Sequence, residues 1–106
     1  MRASEASLLV ATVPTIEGRP VQWYLGVVSG EAVAPAQRCT ALVLQSEACA
    51  IDLRDARDTA IFEMLREAAE RGANAVIGVD LGYESITLNS EGTTLMVTAS
   101  GTAVRV

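Results

Sequence analysis

The stretch Ala56–Glu84, ARDTAIFEMLREAAERGANAVIGVDLGYE, turns from helical to extended patterning half-way along, and that turn decides the fold. Up to Arg71 the apolar residues recur at helical spacing: Ala56, Ala60, Ile61, Met64, Leu65 and Ala68 form one stripe, continued upstream by Leu53 and interrupted only by Arg57. Gly72 is the residue type that ends a helix in the left-handed conformation. From Ala75 to Leu81 the chain is almost continuously apolar, as a strand covered on both faces would be.

Working upstream, Ser46 is a suitable N-cap and Glu47 sits in the first turn, where negative charge is favoured, so one long helix is expected up to Arg71. Arg54–Asp58 and Glu67–Arg71 stand four apart on its wetter side, pairs worth only tenths of a kcal/mol. Ile51, Phe62 and Ala69 project away from the middle of the stripe. The apolar arc is therefore wider than one sheet contact requires, and its second side needs either the preceding irregular segment or a neighbouring subunit.

The flanks supply strands. Leu8–Val13 is a short apolar run without clean alternation, which predicts a strand with both faces covered. Pro14 and Ile16–Pro20 form a turn region. In the next strand Val21, Trp23, Leu25 and Val27 share one parity, and Gln22, Tyr24 and Gly26 the other. Gly26 and Gly30 lie inside that strand, where glycine marks a bulge or a close backbone approach. Trp23 and Tyr24 have opposite parity, so at most one of them is core. Pro35 closes the region, and the conformation of Ala36–Gln45 is not legible. Downstream, Asn89–Gly92 is a hairpin turn and Leu95–Val106 a final strand. The order strand, strand, helix, strand, strand specifies an α+β domain of β-β-α-β-β type over residues 1–106, with the helix packed on an antiparallel or mixed sheet.

Composition narrows the chemistry. The 106 residues carry a net charge of −5, and all eight cations are arginines scattered along the chain, which argues against nucleic-acid binding. There is no lysine and no histidine, so a Schiff-base lysine, a phosphate-loop lysine, a histidine base and an imidazole metal ligand are all excluded. No recognised catalytic motif is present. The N-terminal fifteen residues lack the apolar length of a secretory signal, and no segment approaches the ~20 apolar residues of a membrane span. Cys39 and Cys49, at unrelated spacing, read as reduced thiols, and a cytoplasmic location is expected.

The polar residue that stands out is Asp80, set between Val79 and Leu81 with Gly78 and Gly82 on its own parity. A buried carboxylate is costly unless paired or hydrogen-bonded. It either caps backbone amides or pairs with an arginine such as Arg105, or, with the glycines leaving room, it meets a ligand. Glu84 shares its parity, but four strand residues separate the two by ~13 Å, too far for a catalytic dyad or a shared metal. Glu31 approaches Asp80 only if their strands pair. Cys49 falls on the helix stripe, where a cysteine behaves as a small hydrophobe.

Taken together, GVVSGEAV (Gly26–Val33), ARDTAIFEMLREAAERGANAVIGVDLGYE (Ala56–Glu84) and LMVTASGTAV (Leu95–Val104) resemble the YbjQ-like family, labelled "putative heavy-metal-binding", in the same order and over nearly the whole chain. Asn74 stands where an aspartate is common in that family, and Leu25 where some members carry cysteine. The resemblance implies a homo-oligomer, a ring with a pentamer as the expected size, and a metal ion as the cofactor. For a metal the residues to test are Cys39, copies of which a ring could bring together around an axis, and Asp80. For a ligand of unknown identity the residues to test are Asp80, Glu31, Gly78 and Gly82. Two functional expectations follow: a non-catalytic oligomeric binding module, or a structural ring that scaffolds an unidentified protein partner. An enzyme using carboxylates or thiols has no supporting motif.

Overall fold

The computed structural model describes residues 8–35, 47–87 and 93–106. The unread segment Ala36–Gln45, with Cys39 in it, and the expected turn at Asn89–Gly92 lie outside the described residues, as does Ser46. The elements are β1 (Leu9–Val10), β2 (Trp23–Pro35), α1 (Glu47–Glu70), β3 (Ala75–Thr87) and β4 (Thr93–Arg105). This is the β-β-α-β-β order the patterning specifies.

The four strands form one mixed sheet in the order β1-β3-β4-β2. β4 runs antiparallel to both of its neighbours, and β1 pairs parallel with β3 through Leu9↔Ala75 and Val10↔Val76. Helix α1 lies over β2 and β4. Ala56, Ala60, Met64, Ala68 and Ala69 are buried, with Leu53, Ile61 and Leu65 packed around them, against Val28, Val76, Val79, Val97, Ala99 and Ala103 of the sheet. A core built largely from alanine and valine lets the helix come close. At Gly30 a β-carbon would fall onto the Ala60 carbonyl oxygen and 2.7 Å from the Met64 amide nitrogen, so only glycine fits beneath the crossing. A second, smaller cluster of Ala75, Ile77 and Val104 lies apart from the main core, packed with Ile16, Val21 and Val106.

The helix ends in a Schellman motif. Gly72 has φ 82°, its N–H donates to Ala69 O (3.0 Å), and the Ala73 N–H donates to Ala68 O (3.1 Å). Asn74, just beyond, ties Val106 to this corner: its Nδ2 donates to Val106 O (3.2 Å) and its Oδ1 accepts from Val106 N (2.9 Å).

Several expectations need correction. The first strand is two residues long rather than Leu8–Val13, and it is not covered: Leu9 and Val10 are 39% and 43% exposed. The reason is topological, since β1 is an edge strand and α1 lies over the other side of the sheet. Backbone bonding nevertheless continues to Val13 (below). In β2, the register with β4 shifts between Tyr24 and Gly26 and breaks the alternation. Leu25 packs on the helix side, while Val27, expected beside it, is 70% exposed. Neither Trp23 (62% exposed) nor Tyr24 (72%) is core, within the expectation of at most one. On the helix, Asp58 pairs with Arg57 (3.1 Å) instead of Arg54, because the adjacent guanidinium reaches it first. Glu67–Arg71 forms as expected at 3.1 Å. Of the residues off the main stripe, Ala69 is buried and Phe62 is half exposed.

Candidate functional site

β2, β4 and β3 lie side by side, so their residues form rows across the sheet. The rows Gly30–Ala99–Leu81 and Ala32–Val97–Tyr83 lie on the face under α1, as the helix crossing at Gly30 and the full burial of Ala99 and Val97 require. The alternate rows, Ser29–Ser100–Asp80, Glu31–Thr98–Gly82 and Val33–Met96–Glu84, lie on the opposite, open face. That face carries three carboxylates with a line of hydroxyls, Thr98 and Ser100, between them.

Asp80 reaches this face through a bulge. Ile77 pairs with Thr102 and Asp80 with Ser100, so Gly78 and Val79 together oppose Gly101 alone. Gly78 takes φ 62°, the left-handed conformation that admits glycine. The extra residue shifts the parity: Val79 turns into the core, and Asp80 turns out to solvent. The amides that the bulge withdraws from the β4 ladder are not orphaned. Gly78 N–H donates to Val13 O (2.9 Å) and Val79 N–H to Ala11 O (3.1 Å), which holds the segment after β1 alongside β3.

This geometry overturns the reading of Asp80 as a buried carboxylate. Asp80 is exposed, and no polar or charged residue is buried among the described residues. Nor does Arg105 pair with it, since the Arg105 Nη1 donates to Gly72 O (2.9 Å). The glycines flanking Asp80 do not carve a cavity around it. Gly78 is the bulge residue, and the space beside Gly82 is filled by the Thr98 hydroxyl, 2.8 Å from where a β-carbon would sit.

Glu31 does not approach Asp80 either, because β4 runs between their strands. Two strand spacings and a two-residue offset put their backbones about 12 Å apart. Glu84 lies within β3, so its ~13 Å separation from Asp80 holds. Divalent cations bind carboxylate oxygens at about 2–2.6 Å, which these spacings do not allow within one subunit. Among the described residues no group of three histidine, cysteine, aspartate or glutamate side chains is placed to hold a metal ion. Cys49 lies in the first turn of α1, with its side chain outside the described residues.

Sequence reasoning found Glu67 and Arg71 as a helix pair and missed what they hold. Arg71 Nη1 donates to Leu25 O (2.9 Å), and Glu67 Oε2 accepts from the Ser29 N–H (3.3 Å). The pair grips the outer edge of β2 next to its bulge. A β-carbon on Gly26 would lie 2.5 Å from Arg71 Nη1, so the glycine, at φ 102°, also makes room for the guanidinium. The i,i+4 spacing signalled the pair, but nothing in the sequence gave the helix crossing that aims it at β2.

The chain matches the YbjQ family model, described as "putative heavy-metal-binding", over residues 8–106. The chain belongs to this family. It is similar in structure to a crystal structure of a protein of unknown function from the DUF74 family of Pediococcus pentosaceus, with TM-score 0.62 and 14% identity over 93% of this chain and 97% of that one. At that identity the likeness speaks for the shared α+β fold alone. The family description names a heavy metal, yet the described residues do not compose a centre to match it. No helix among the described residues is long and apolar enough to cross a membrane.

Proposed function

We propose that this member of the YbjQ family is a non-catalytic homo-oligomeric binding module. Its subunits join edge to edge into a ring, and a small molecule or metal ion is held at or near their contacts. One observation carries the reading. Large exposed apolar residues concentrate at the two edges of the sheet: Leu9, Val10 and Val13 beside β1, and Trp23, Tyr24, Val27 and Val33 on β2. Apolar surface gathered in this way marks a contact to be covered. Two different edges meeting head to tail make a heterologous contact, which closes into a ring when the rotation allows. The family resemblance sets the expected ring at five subunits, and the reading of Cys39 and Cys49 as reduced thiols sets the expected location in the cytoplasm.

In such a ring Glu31 and Asp80, exposed and about 12 Å apart within a subunit, would each meet groups from a neighbour. Cys39, one per subunit, would supply thiolate donors soft enough for a heavy metal. The absence of lysine and histidine supports binding without catalysis. Native mass spectrometry of the protein as purified, without chelator, tests the reading. A fivefold assembly carrying additional mass is expected, and a monomer sinks it.

A clean ring without bound mass would favour the second reading, a scaffold for a protein partner. The half-exposed Phe62 on α1 is the observation behind that reading.

A further inference from the structure

β2 is the outer strand of the sheet, and an edge strand offers its unpaired N–H and C=O groups to any chain that can extend along it. Here two of those groups are already taken by the helix. The Ser29 N–H, which points away from β4, donates to Glu67 Oε2, and the Leu25 carbonyl, turned outward at the bulge, accepts from Arg71 Nη1. The two side chains also bond to each other, Arg71 Nη2 to Glu67 Oε1 at 3.1 Å. One ion pair therefore occupies both ends of the Leu25–Ser29 edge, and an incoming strand would have to break it. At the far end of β2 stands Pro35, which has no N–H to offer. In a regular ladder, alternate residues direct their polar groups to the same side, so Val27, between the two gripped groups, has its own N–H on the outer edge as well.

We propose that Glu67 and Arg71 are an edge guard: they stop a second copy of this chain from adding a strand along Leu25–Ser29 and so restrict which edge contacts the protein makes. The occupant excluded is a second copy because exposed apolar side chains, Trp23, Tyr24 and Val27, flank the guarded stretch and invite self-contact; the guard leaves contact through those side chains open and blocks only a continued backbone ladder. An unguarded edge of this kind would admit pairings other than the one that closes. The choice of occupant rests on the self-association proposed above. The guard is nevertheless read from a difference between variant and wild type, whatever size the wild type has.

The test is sedimentation velocity on wild type, Arg71→Ala and the double variant Glu67→Ala/Arg71→Ala at matched concentration, with circular dichroism confirming the helix. The variants are expected to show species beyond the wild-type size, with the weight-average mass rising about twofold or more as strands add to the bared edge. Adding Val27→Pro, which deletes an outward N–H within the guarded stretch, should return the distribution to the wild-type size. Folded variants with the wild-type distribution would overturn the guard, and so would extra association that Val27→Pro leaves untouched. If the double variant loses its helical signal, Arg71→Ala alone decides by the same readout. A monomeric wild type whose variants associate would keep the guard and sink the ring.

Discussion

The two faces of the same three strands are built on opposite terms. Beneath α1 the rows are glycine, alanine, valine and leucine, with Tyr83 only at their outer end, packed so closely that the helix backbone touches the strand at Gly30. One residue along, the open face sets Ser29, Thr98 and Ser100 among Glu31, Asp80 and Glu84, with Val33 and Met96 in the last row. The difference shows where this chain tolerates change. On the covered face a single methyl group has nowhere to go, whereas on the open face a charge can be altered without disturbing a neighbour.

The sharpest way to break that contrast is at Gly30. An alanine there meets backbone atoms of Ala60 and Met64, which cannot rotate out of the way, so the helix must lift from β2. Overpacking of this kind costs typically 1–3 kcal/mol, and the rigid backbone puts Gly30→Ala near the upper end, about 3 kcal/mol by urea denaturation. A loss under roughly 0.5 kcal/mol, the range of ordinary surface changes, would mean that α1 does not cross β2 here.

Gly78→Ala comes next. The space around Gly78 is open, so the whole penalty is the left-handed backbone, about 1–2 kcal/mol. It should also loosen the bonds from Gly78 and Val79 to Val13 and Ala11, and faster amide exchange at those two positions would report it. A loss of stability with unchanged exchange would detach the bulge from the hold on the β1 segment.

Much of this fold was legible in the sequence because its signals are local. Helical spacing marked α1, Gly72 marked its end, and the glycines of β2 signalled a bulge or a close approach without saying which; the bulge is near Gly26 and the close approach at Gly30. What failed was parity. Each bulge inserts one residue, and every side chain beyond it changes face. Val27 was therefore grouped with Leu25 when the two lie on different faces. Asp80 read as buried because the apolar run around it looks covered on both faces, whereas the bulge turns it to the open one. Gly78 carried the bulge signal as well, but beside an acidic residue it read as room for a ligand. The relation between Glu31 and Asp80 was beyond reach for another reason: the strand order that puts β4 between them is set by long-range pairing, which leaves no trace in the residues themselves. The edge guard is a tertiary fact of the same kind.

The smallest effect is expected at Asp80, and it is the most discriminating. With Arg105 committed to Gly72 and Asp80 in solvent, Asp80→Asn removes no charge that is paired among the described residues. Its stability should stay within about 0.5 kcal/mol of wild type, which for a chain of this length moves the melting temperature by under roughly 4 °C. A larger fall would show that the open face is covered in the assembled protein, because a carboxylate contributes that much only when it is paired away from water. Measuring the mass that co-purifies with the same variant separates two further cases. If stability holds while the bound mass disappears, Asp80 serves a ligand shared with a neighbouring subunit. If both are unchanged, the carboxylate is a solvated residue that keeps the open face polar, and Asp80 drops out of the proposed binding site.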